Sequence, residues 1–367
     1  MSGIIVHEWL EPHGGAEKVM EEIAEIFPDA PIRSLWDDAP QRFSEGRVTE
    51  TWLARTPLRK NKKFAVPFMP ITWRNLGIED AEWILCSSHL FAHHARFSGP
   101  AREASKFIYA YTPARYIWTP ELDERGESLA ARAAAVPLRR LDKARAQEPS
   151  SIAGISHFVR DRIEKCWGRS AKVIYPPVSV ADYAGGEITL SSREEELLHQ
   201  LPSEFILGAS RFIPYKRLDF VIKAGAAAGI PVVLAGSGPS LRFLEHCAAQ
   251  YPGHVTFVEA PSFQMLRELY RRSLLYVFPP VEDFGIMPVE AMATGTPVLA
   301  NAVGGAAETV IHGKTGYLLE SFESQHLADA VHSAISLGGA ECVAQAWRFD
   351  KSVFASEMKN WITSGIS

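Results

Sequence analysis

"VEDFGIMPVEAMATGTPVLANAVGG", residues 281–305, decides how the rest of the chain is read. It follows "LLYVFPP", an apolar run with the aromatic and β-branched content of a short strand. "VEDFGI" then reads as a loop, Pro288 suits the first position of a helix, and "VEAMAT" continues that helix until Gly295 and Pro297 end it. "PVLANAVGG" starts the next strand. Strand, loop, helix and strand in this order make the repeating unit of a parallel sheet, whose ligands sit at the carboxyl ends of the strands. Glu282 falls at such an end. Glu290 falls in the first turn of the helix, where orphan N–H groups and the positive end of the dipole favour an ionised carboxylate that accepts hydrogen bonds, for example from ribose hydroxyls. Taken alone, each acid reads equally as a ligand-binding residue or as something blander, a helix-start acid for Glu290 and a solvated loop charge for Glu282.

The same order extends in both directions. Gly3–His7 is a β-branched run that leads through the turn "EPHGG" into the helical pattern "AEKVMEEIAEIF"; "AEWILCSS", "KFIYAYTP" and "SSIAGISHFVRDRIEKCWG" repeat the alternation. A proline pair in "AKVIYPPVSV" and the charged stretch from Glu187 to Pro202 mark a boundary. A second series follows in "EFILGASRF", "PVVLAGSGP" and "HVTFVEAPS", before the opening stretch. The fold class is therefore α/β, with two Rossmann-like, doubly wound parallel sheets facing across a cleft. The expected domains are residues 1–185 and 203–346, followed by a tail over 347–367 at helical spacing.

The totals narrow the classes. The chain has 367 residues, 47% of them hydrophobic, enough for two cores, and a formal net charge of −5, which argues against a nucleic-acid partner. Cys86, Cys166, Cys247 and Cys342 are too scattered for a disulfide framework or a Cys-x-x-Cys metal site. "MSGIIVHEWLEPHGG" lacks a basic start and a long apolar run, and no later stretch has the length of a bilayer-spanning helix, so a cytoplasmic protein is expected.

Other strand ends carry chemistry of the same kind. "GASRFIPYKRLD" places Arg211 and Lys216 in one loop, where a guanidinium and an ammonium can neutralise a diphosphate leaving group without a metal ion. At the matching place in the first domain, "PHGGAE" offers Gly14 and Gly15 for close backbone approach to an anion at a helix start, although a glycine pair alone is usually a plain turn. Gly236 and Gly238 in "AGSGPSLRF" imitate a dinucleotide fingerprint, but Leu241 stands where its third glycine belongs. Asp283-Phe284-Gly285 copies a kinase tripeptide with no other kinase element nearby. "LWDDAP" is no convincing metal pair, and His93-His94 lack the i,i+4 spacing of a helical zinc site, so neither metal nor cofactor is expected.

Together, "EDFGIMPVEAMATGTPVLA" with seven residues between Glu282 and Glu290, "SRFIPYK" and "GGAE" resemble the family 4 retaining glycosyltransferases of the GT-B fold, over nearly the whole chain. "HEWLEPHGGAEKV", "YTPARYIW" and "RFIPYKRLD" are similar to the branch that builds bacterial surface polysaccharides, many with a GDP-mannose type donor. The resemblance implies the following roles. Glu290 would hold the donor ribose; Glu282 and the backbone of Phe284, Gly285 and Ile286 the donor sugar; and Arg211 and Lys216 the diphosphate. Gly14 and Gly15 would close the phosphate site from the first domain. Val258 and Glu259 would lie near the base, which GDP, UDP or dTDP could supply, and the tail helix would return to the first domain. The family transfers with retention, by a front-face route in which the departing phosphate helps deprotonate the acceptor.

The chain departs from the family pattern at one position. Where that pattern commonly reads Tyr-x-His-Thr-Pro-x-Arg-Tyr, this chain has "YAYTPARY", with Tyr111 at the histidine position. A phenol with a pKa of about 10 donates a hydrogen bond but does not become a cation near neutral pH. Tyr111 either contacts the donor sugar or alters the site, which leaves a nucleotide-sugar-binding subunit without turnover as the alternative, beside another GT-B enzyme such as a sugar phosphorylase or a nucleotide-sugar epimerase. No lysine-anchored pyridoxal site supports the phosphorylase. Finally, "RTPLRKNKKFAVPFMPITWR" interleaves Arg59, Lys60, Lys62 and Lys63 with Phe64, Phe68 and Trp73. It reads either as a surface for an anionic membrane carrying a lipid-linked acceptor or as a charged loop beside core aromatics.

Overall fold

The computed structural model describes residues 2–12, 14–118, 129–186 and 188–366. The chain divides into two units, residues 1–177 with 352–367, and residues 178–351. In the first, β1 (Gly3–His7), β2 (Ile32–Ser34), β3 (Val48–Glu50), β4 (Trp83–Ser88), β5 (Ser105–Ala110), β6 (Ser151–Gly154) and β7 (Lys172–Val173) form one sheet in the order β3-β2-β1-β4-β5-β6-β7. All of its pairings are parallel. β1 and β4 are buried along their whole length, as uninterrupted apolar strands of a parallel sheet should be. β2, β3 and β7 have three, three and two residues, too few to show a period in the sequence.

In the second unit, β8 (Ile206–Ala209), β9 (Val232–Gly236), β10 (Val255–Glu259), β11 (Leu275–Phe278), β12 (Val298–Asn301) and β13 (Gly316–Leu319) take the order β10-β9-β8-β11-β12-β13, again all parallel. Phe212, Phe220, Leu234, Leu275, Val277, Leu299 and Val331 are among its core. Each sheet reverses its strand order once, between β1 and β4 in the first and between β8 and β11 in the second. Those are the switch points where an open α/β sheet leaves a crevice beyond its strand ends.

The division of the chain differs from the boundary read in the sequence, whose first residue, Glu187, lies outside the described residues. The helices Val180–Ala184 and Ser192–Gln200 both belong to the second unit. Tyr183 explains why: its ring packs on Phe263 and Tyr270, and Arg267 donates to the Tyr183 and Gly186 carbonyls at 3.2 and 2.9 Å. At the other end, Trp347–Phe349 stays with the second unit, where Phe349 packs on Phe284 and its carbonyl accepts from the Val178 amide at 3.0 Å. The helix Lys351–Ile366 groups with the first unit from residue 352. Its Trp361 stacks edge-on against Phe107 and donates to Ser151 Oγ at 2.8 Å.

Candidate functional site

In the second unit, Lys216 and Glu282 meet at the switch point as an ion pair between the loops that leave β8 and β11. Tyr215 anchors the same junction by donating to the Val281 carbonyl. On the other side of this loop, Gly304 and Gly305, which follow β12, press backbone to backbone against residues 282–284: the Gly305 amide donates to the Glu282 carbonyl at 2.7 Å. A Cβ on Gly305 would stand 2.3 Å from Phe284 Cα, and one on Gly304, whose φ is 103°, 2.8 Å from the Glu282 carbonyl oxygen. Beyond β8, Gly236 and Gly238 do the same for residues 210–212, with φ values of 142° and 150° and no room for a Cβ beside Ser210 and Phe212. The glycines set aside as a failed dinucleotide fingerprint therefore shape the loop that carries Arg211. Four neighbouring strand ends interlock in this way. The sequence showed these glycines but no signal for what they touch.

Arg211 is exposed and has no ion pair among the described residues. Val258 is buried and Glu259 exposed at the end of β10, the edge strand. Phe284 is buried, Gly285 caps the following helix with φ 90°, and Ile286 opens it. This helix, Ile286–Ala293, starts two residues before Pro288. Any of the first few helical residues tolerates proline, because their N–H groups have no partner within the helix. Glu290 is consequently the fifth helical residue rather than a member of the first turn, and it is 7% exposed. Tyr270 donates to its Oε2 at 3.4 Å, and Tyr183 hydrogen-bonds it as well. Burial, followed by the Glu290 charge, pushes the Tyr183 phenol up, so it is a neutral donor.

In the first unit, the switch point holds residues that sequence reading assigned no role. Glu8, fully buried just past β1, accepts from the amides of Leu90 and Ala92 at 2.8 and 2.9 Å and lies 3.2 Å from His89 Nδ1. Burial opposes its charge, yet His89, His7 and those amides together lower its pKa. The available signal was an acid directly after the first β-branched run, facing the "SSH" that ends β4. Tyr111 hydrogen-bonds Ser87 Oγ at 2.9 Å and donates to the Ala16 carbonyl at 3.2 Å, while burial raises its pKa. Gly14 and Gly15 do begin the helix Gly15–Ile26, but the Glu17 carboxylate folds over Gly14, 1.9 Å from where a Cβ would stand. That helix start already carries an acid.

Among the described residues, His93, His94 and Asp142 are the group of three that could hold a metal ion. The Asp142 carboxylate is committed elsewhere: Oδ1 lies 3.0 and 3.1 Å from the two imidazoles, and Oδ2 accepts both the Trp118 and Trp167 indoles at 2.7 Å. Indole N–H groups are donors only, so the cluster behaves as a buried polar network of the core. An open cavity of about 500 Å³ between the helices Ser192–Gln200 and Phe263–Arg272 is lined by His199, Arg271 and Arg272 among others, with Glu268 pairing both arginines.

The stretch from Arg55 to Arg74 is more selective than its sequence suggested. Trp73 is fully buried, whereas Phe64, Phe68 and Ile71 are 69, 44 and 60% exposed along the consecutive helical turns Lys62–Ala65, Val66–Phe68 and Met69–Trp73. Arg59 pairs with Asp38 and Glu50, and Lys62 with Glu11. Arg55, Lys60 and Lys63 are exposed with no ion pair among the described residues. No described helix is long and apolar enough to cross a membrane.

Two parallel Rossmann-like sheets with charged residues at the strand ends are the architecture of the GT-B class. Residues 192–345, which contain Arg211, Lys216, Glu282 and Glu290, match the family described as glycosyl transferases group 1. The chain is 30% identical over 230 residues, 54% of its own length and 58% of the other's, to a GDP-mannose-dependent alpha-(1-6)-phosphatidylinositol monomannoside mannosyltransferase of Mycobacterium tuberculosis. It is 32% identical over 165 residues, 40% of its length and 37% of the other's, to a D-inositol 3-phosphate glycosyltransferase of Rhodococcus erythropolis. The chain thus spans about half the length of the curated relatives it matches. Among solved structures it is similar in fold to Anabaena Alr3699/HepE in complex with UDP, with a TM-score of 0.74 and 22% identity over 99% of this chain and 100% of that one. Sucrose-phosphate synthase from Thermosynechococcus elongatus gives a TM-score of 0.69 at 16% identity, over 99% of each chain.

Proposed function

We propose that the chain is a retaining, metal-independent hexosyltransferase that moves a sugar, mannose-type in preference, from a nucleoside diphosphate donor to a glycan or lipid-linked acceptor. GDP is the favoured carrier because a similar relative is GDP-mannose-dependent, with UDP or dTDP as the other candidates. The observation that carries the reading is the Lys216–Glu282 pair at the switch point of the second sheet, with Glu290 buried eight residues further on, all inside the matched segment.

In this reading the C1–O bond to the diphosphate breaks and the acceptor oxygen bonds C1 on the same face. The acceptor proton goes to the departing phosphate. Arg211 and Lys216 neutralise the charge that develops on the leaving group. Lys216, which pairs with Glu282, turns toward the phosphate in this reading, and Glu282 accepts from sugar hydroxyls. The backbone at Phe284, Gly285 and Ile286 completes the sugar site, Glu290 accepts from the ribose, and Val258 and Glu259 lie beside the base. The exposed face of Phe64, Phe68 and Ile71, with Arg55, Lys60 and Lys63, rests on an anionic membrane from the cytoplasmic side.

The test is a transfer assay with GDP-, UDP- and dTDP-hexoses, glycan and lipid-linked acceptors, and a chelator present. Product with the donor's anomeric configuration is expected; an inverted product or a strict need for divalent metal refutes the reading. Binding without turnover across the panel supports the alternative, a nucleotide-sugar-binding subunit, which the neutral and already hydrogen-bonded Tyr111 favours.

A further inference from the structure

Two polar side chains at the strand ends of the first unit have open hydrogen-bonding atoms. β1, β4 and β5 end at His7, Ser88 and Ala110, and the next residues are Glu8, His89 and Tyr111. His89 Nδ1 is buried 3.2 Å from Glu8 Oε2, and the rings of Trp9 and Tyr111 stand edge-on to the imidazole at 4.9 and 6.2 Å. The His89 side chain is still 26% exposed. That surface belongs to the rest of the side chain, which carries Nε2, and Nε2 has no partner among the described residues.

The second side chain is Glu17, in the first turn of the helix Gly15–Ile26. It is 4% exposed, folds its carboxylate over Gly14, and has no hydrogen bond or ion pair among the described residues. Tyr111 lies against both. Its hydroxyl donates to the carbonyl of Ala16, the neighbour of Glu17, and lies in the field of the Glu17 carboxylate, while its ring meets His89.

A carboxylate that is nine-tenths buried with no partner destabilises the fold, and a helix-start acid needed only for the helix would sit in water. A ligand that donates hydrogen bonds to it offsets that cost. The surrounding charges select the ligand. Glu8 and Glu17 are both acids, and the cations beside them are already paired, Arg42 with Glu21 and Lys62 with Glu11. An anionic ligand meets repulsion here. Hydroxyls do not: they donate to a carboxylate and exchange hydrogen bonds with an imidazole whose other nitrogen faces Glu8.

We propose that Glu17 and His89 bind hydroxyls of a neutral carbohydrate at the switch point of the first sheet. Arg211, Lys216, Glu282 and Glu290, the residues proposed for the donor, all belong to the second unit, so this carbohydrate is the acceptor. That name rests on the donor reading of the second unit; the sugar site itself does not.

The experiment titrates methyl α-mannoside, methyl α-glucoside, methyl α-galactoside, myo-inositol and mannose 6-phosphate into the full chain by ligand-observed NMR. It uses the unaltered protein, Glu17→Ala, Glu17→Gln, His89→Ala and His89→Gln. At least one neutral ligand is expected to bind, and more tightly than the phosphate ester. Glu17→Ala should weaken it about tenfold, the usual weight of a hydrogen bond to a charged group, and His89→Ala about fivefold. His89→Gln, whose amide can stand where Nε2 stands, should recover part of that loss. GDP and UDP affinities, which read the second unit, should be the same in every variant. Glu17→Gln should keep or raise the unfolding midpoint while lowering sugar affinity, because it removes a buried unpaired charge, and it carries the test if Glu17→Ala does not fold. No binding of any neutral ligand, tighter binding of the phosphate ester, or full affinity in the Glu17 and His89 variants overturns the proposal. A lowered midpoint with unchanged affinity in Glu17→Gln marks an acid kept for the fold and overturns it as well. If the unaltered chain binds neither GDP nor UDP, the donor reading falls and the name of acceptor with it, while the sugar titrations decide the site on their own.

Discussion

Reversing the charge of Lys60 and Lys63 should release the chain from anionic vesicles, and the structure sets the size of the effect. Phe64, Phe68 and Ile71 are spaced four and three residues apart and together expose somewhat less than two full side chains. Burying a large apolar side chain contributes about 2 kcal/mol, so this face offers about 3 kcal/mol to a bilayer interface. Each cation near an anionic surface adds about 1 kcal/mol, and Arg55, Lys60 and Lys63 are the ones without an ion pair among the described residues, giving about 3 kcal/mol more. The sum is comparable to a single myristoyl chain, which binds reversibly. Lys60→Glu with Lys63→Glu removes two attractions and adds two repulsions, a loss of about 2–4 kcal/mol, or roughly 30- to 1,000-fold in partitioning. Co-sedimentation with phosphatidylglycerol vesicles at low salt measures it, and raised salt should reproduce most of the loss. Phe64→Ser with Phe68→Ser should weaken binding at any salt. All four residues are exposed or partly exposed on the surface, so the unfolding midpoint should hardly move. The reasoning fails if the unaltered chain binds neutral and anionic vesicles alike, or if the reversed variant still sediments.

Glu290→Ala should weaken free nucleoside diphosphate and nucleotide sugar alike, whereas Glu282→Ala should spare the free diphosphate and damage sugar-dependent binding or rate; titrations with both ligands decide it, and equal effects contradict the assigned roles. Gly305→Ala forces a Cβ to within 2.3 Å of Phe284 Cα and should cost about 1–3 kcal/mol of stability in urea while depressing transfer, whereas Gly338→Ala, with open space around it, should change neither. Burial lowers the pKa of His7 and of His94 to about 4. The unfolded chain therefore takes up these protons first, so stability is fully present above about pH 6.5 and declines as pH falls from there toward 4, by about 1.4 kcal/mol per pH unit for each imidazole. Urea midpoints at three pH values within that window check the slope, and a flat profile rejects it. Glu8, with its lowered pKa, has the same sign, and its contribution is lost as pH falls from the ordinary glutamate range through that lower value.

What the sequence made legible, and what it hid, follows from which interactions are local. β1, β4, β8 and β11 were readable because a strand buried on both faces must be an apolar run, and their ends pointed to Glu282 and Lys216 without any knowledge of strand order. The pairing of those two residues depends on β8 lying beside β11, a long-range fact that no window of sequence contains. Glu290 shows a subtler limit. Proline marks a helix start only to within a turn, and two residues of error moved the acid from the dipole's end to a pocket of phenols, which changes what holds its charge. The boundary read at Glu187–Pro202 lies beyond the division at residue 177 because Val180 and Tyr183, two apolar anchors just before that polar stretch, already fasten the chain to the second unit.

The glycines make the same point from the other side. Gly14 and Gly15 were legible as a motif, yet Glu17, two residues beyond them, already occupies the helix start, so an anion binding there must displace or protonate that acid. Gly304 and Gly305 carried no motif, yet they lie so close to the backbone of residues 282–284 that neither has room for a Cβ. If the donor sugar is held by that backbone, the positions most sensitive to substitution in the second unit should include residues that never touch the ligand. A scan of alanine at Gly236, Gly238, Gly304 and Gly305 should therefore lower donor affinity at each position. Full affinity at all four would mean that the interlocked loops serve the fold alone.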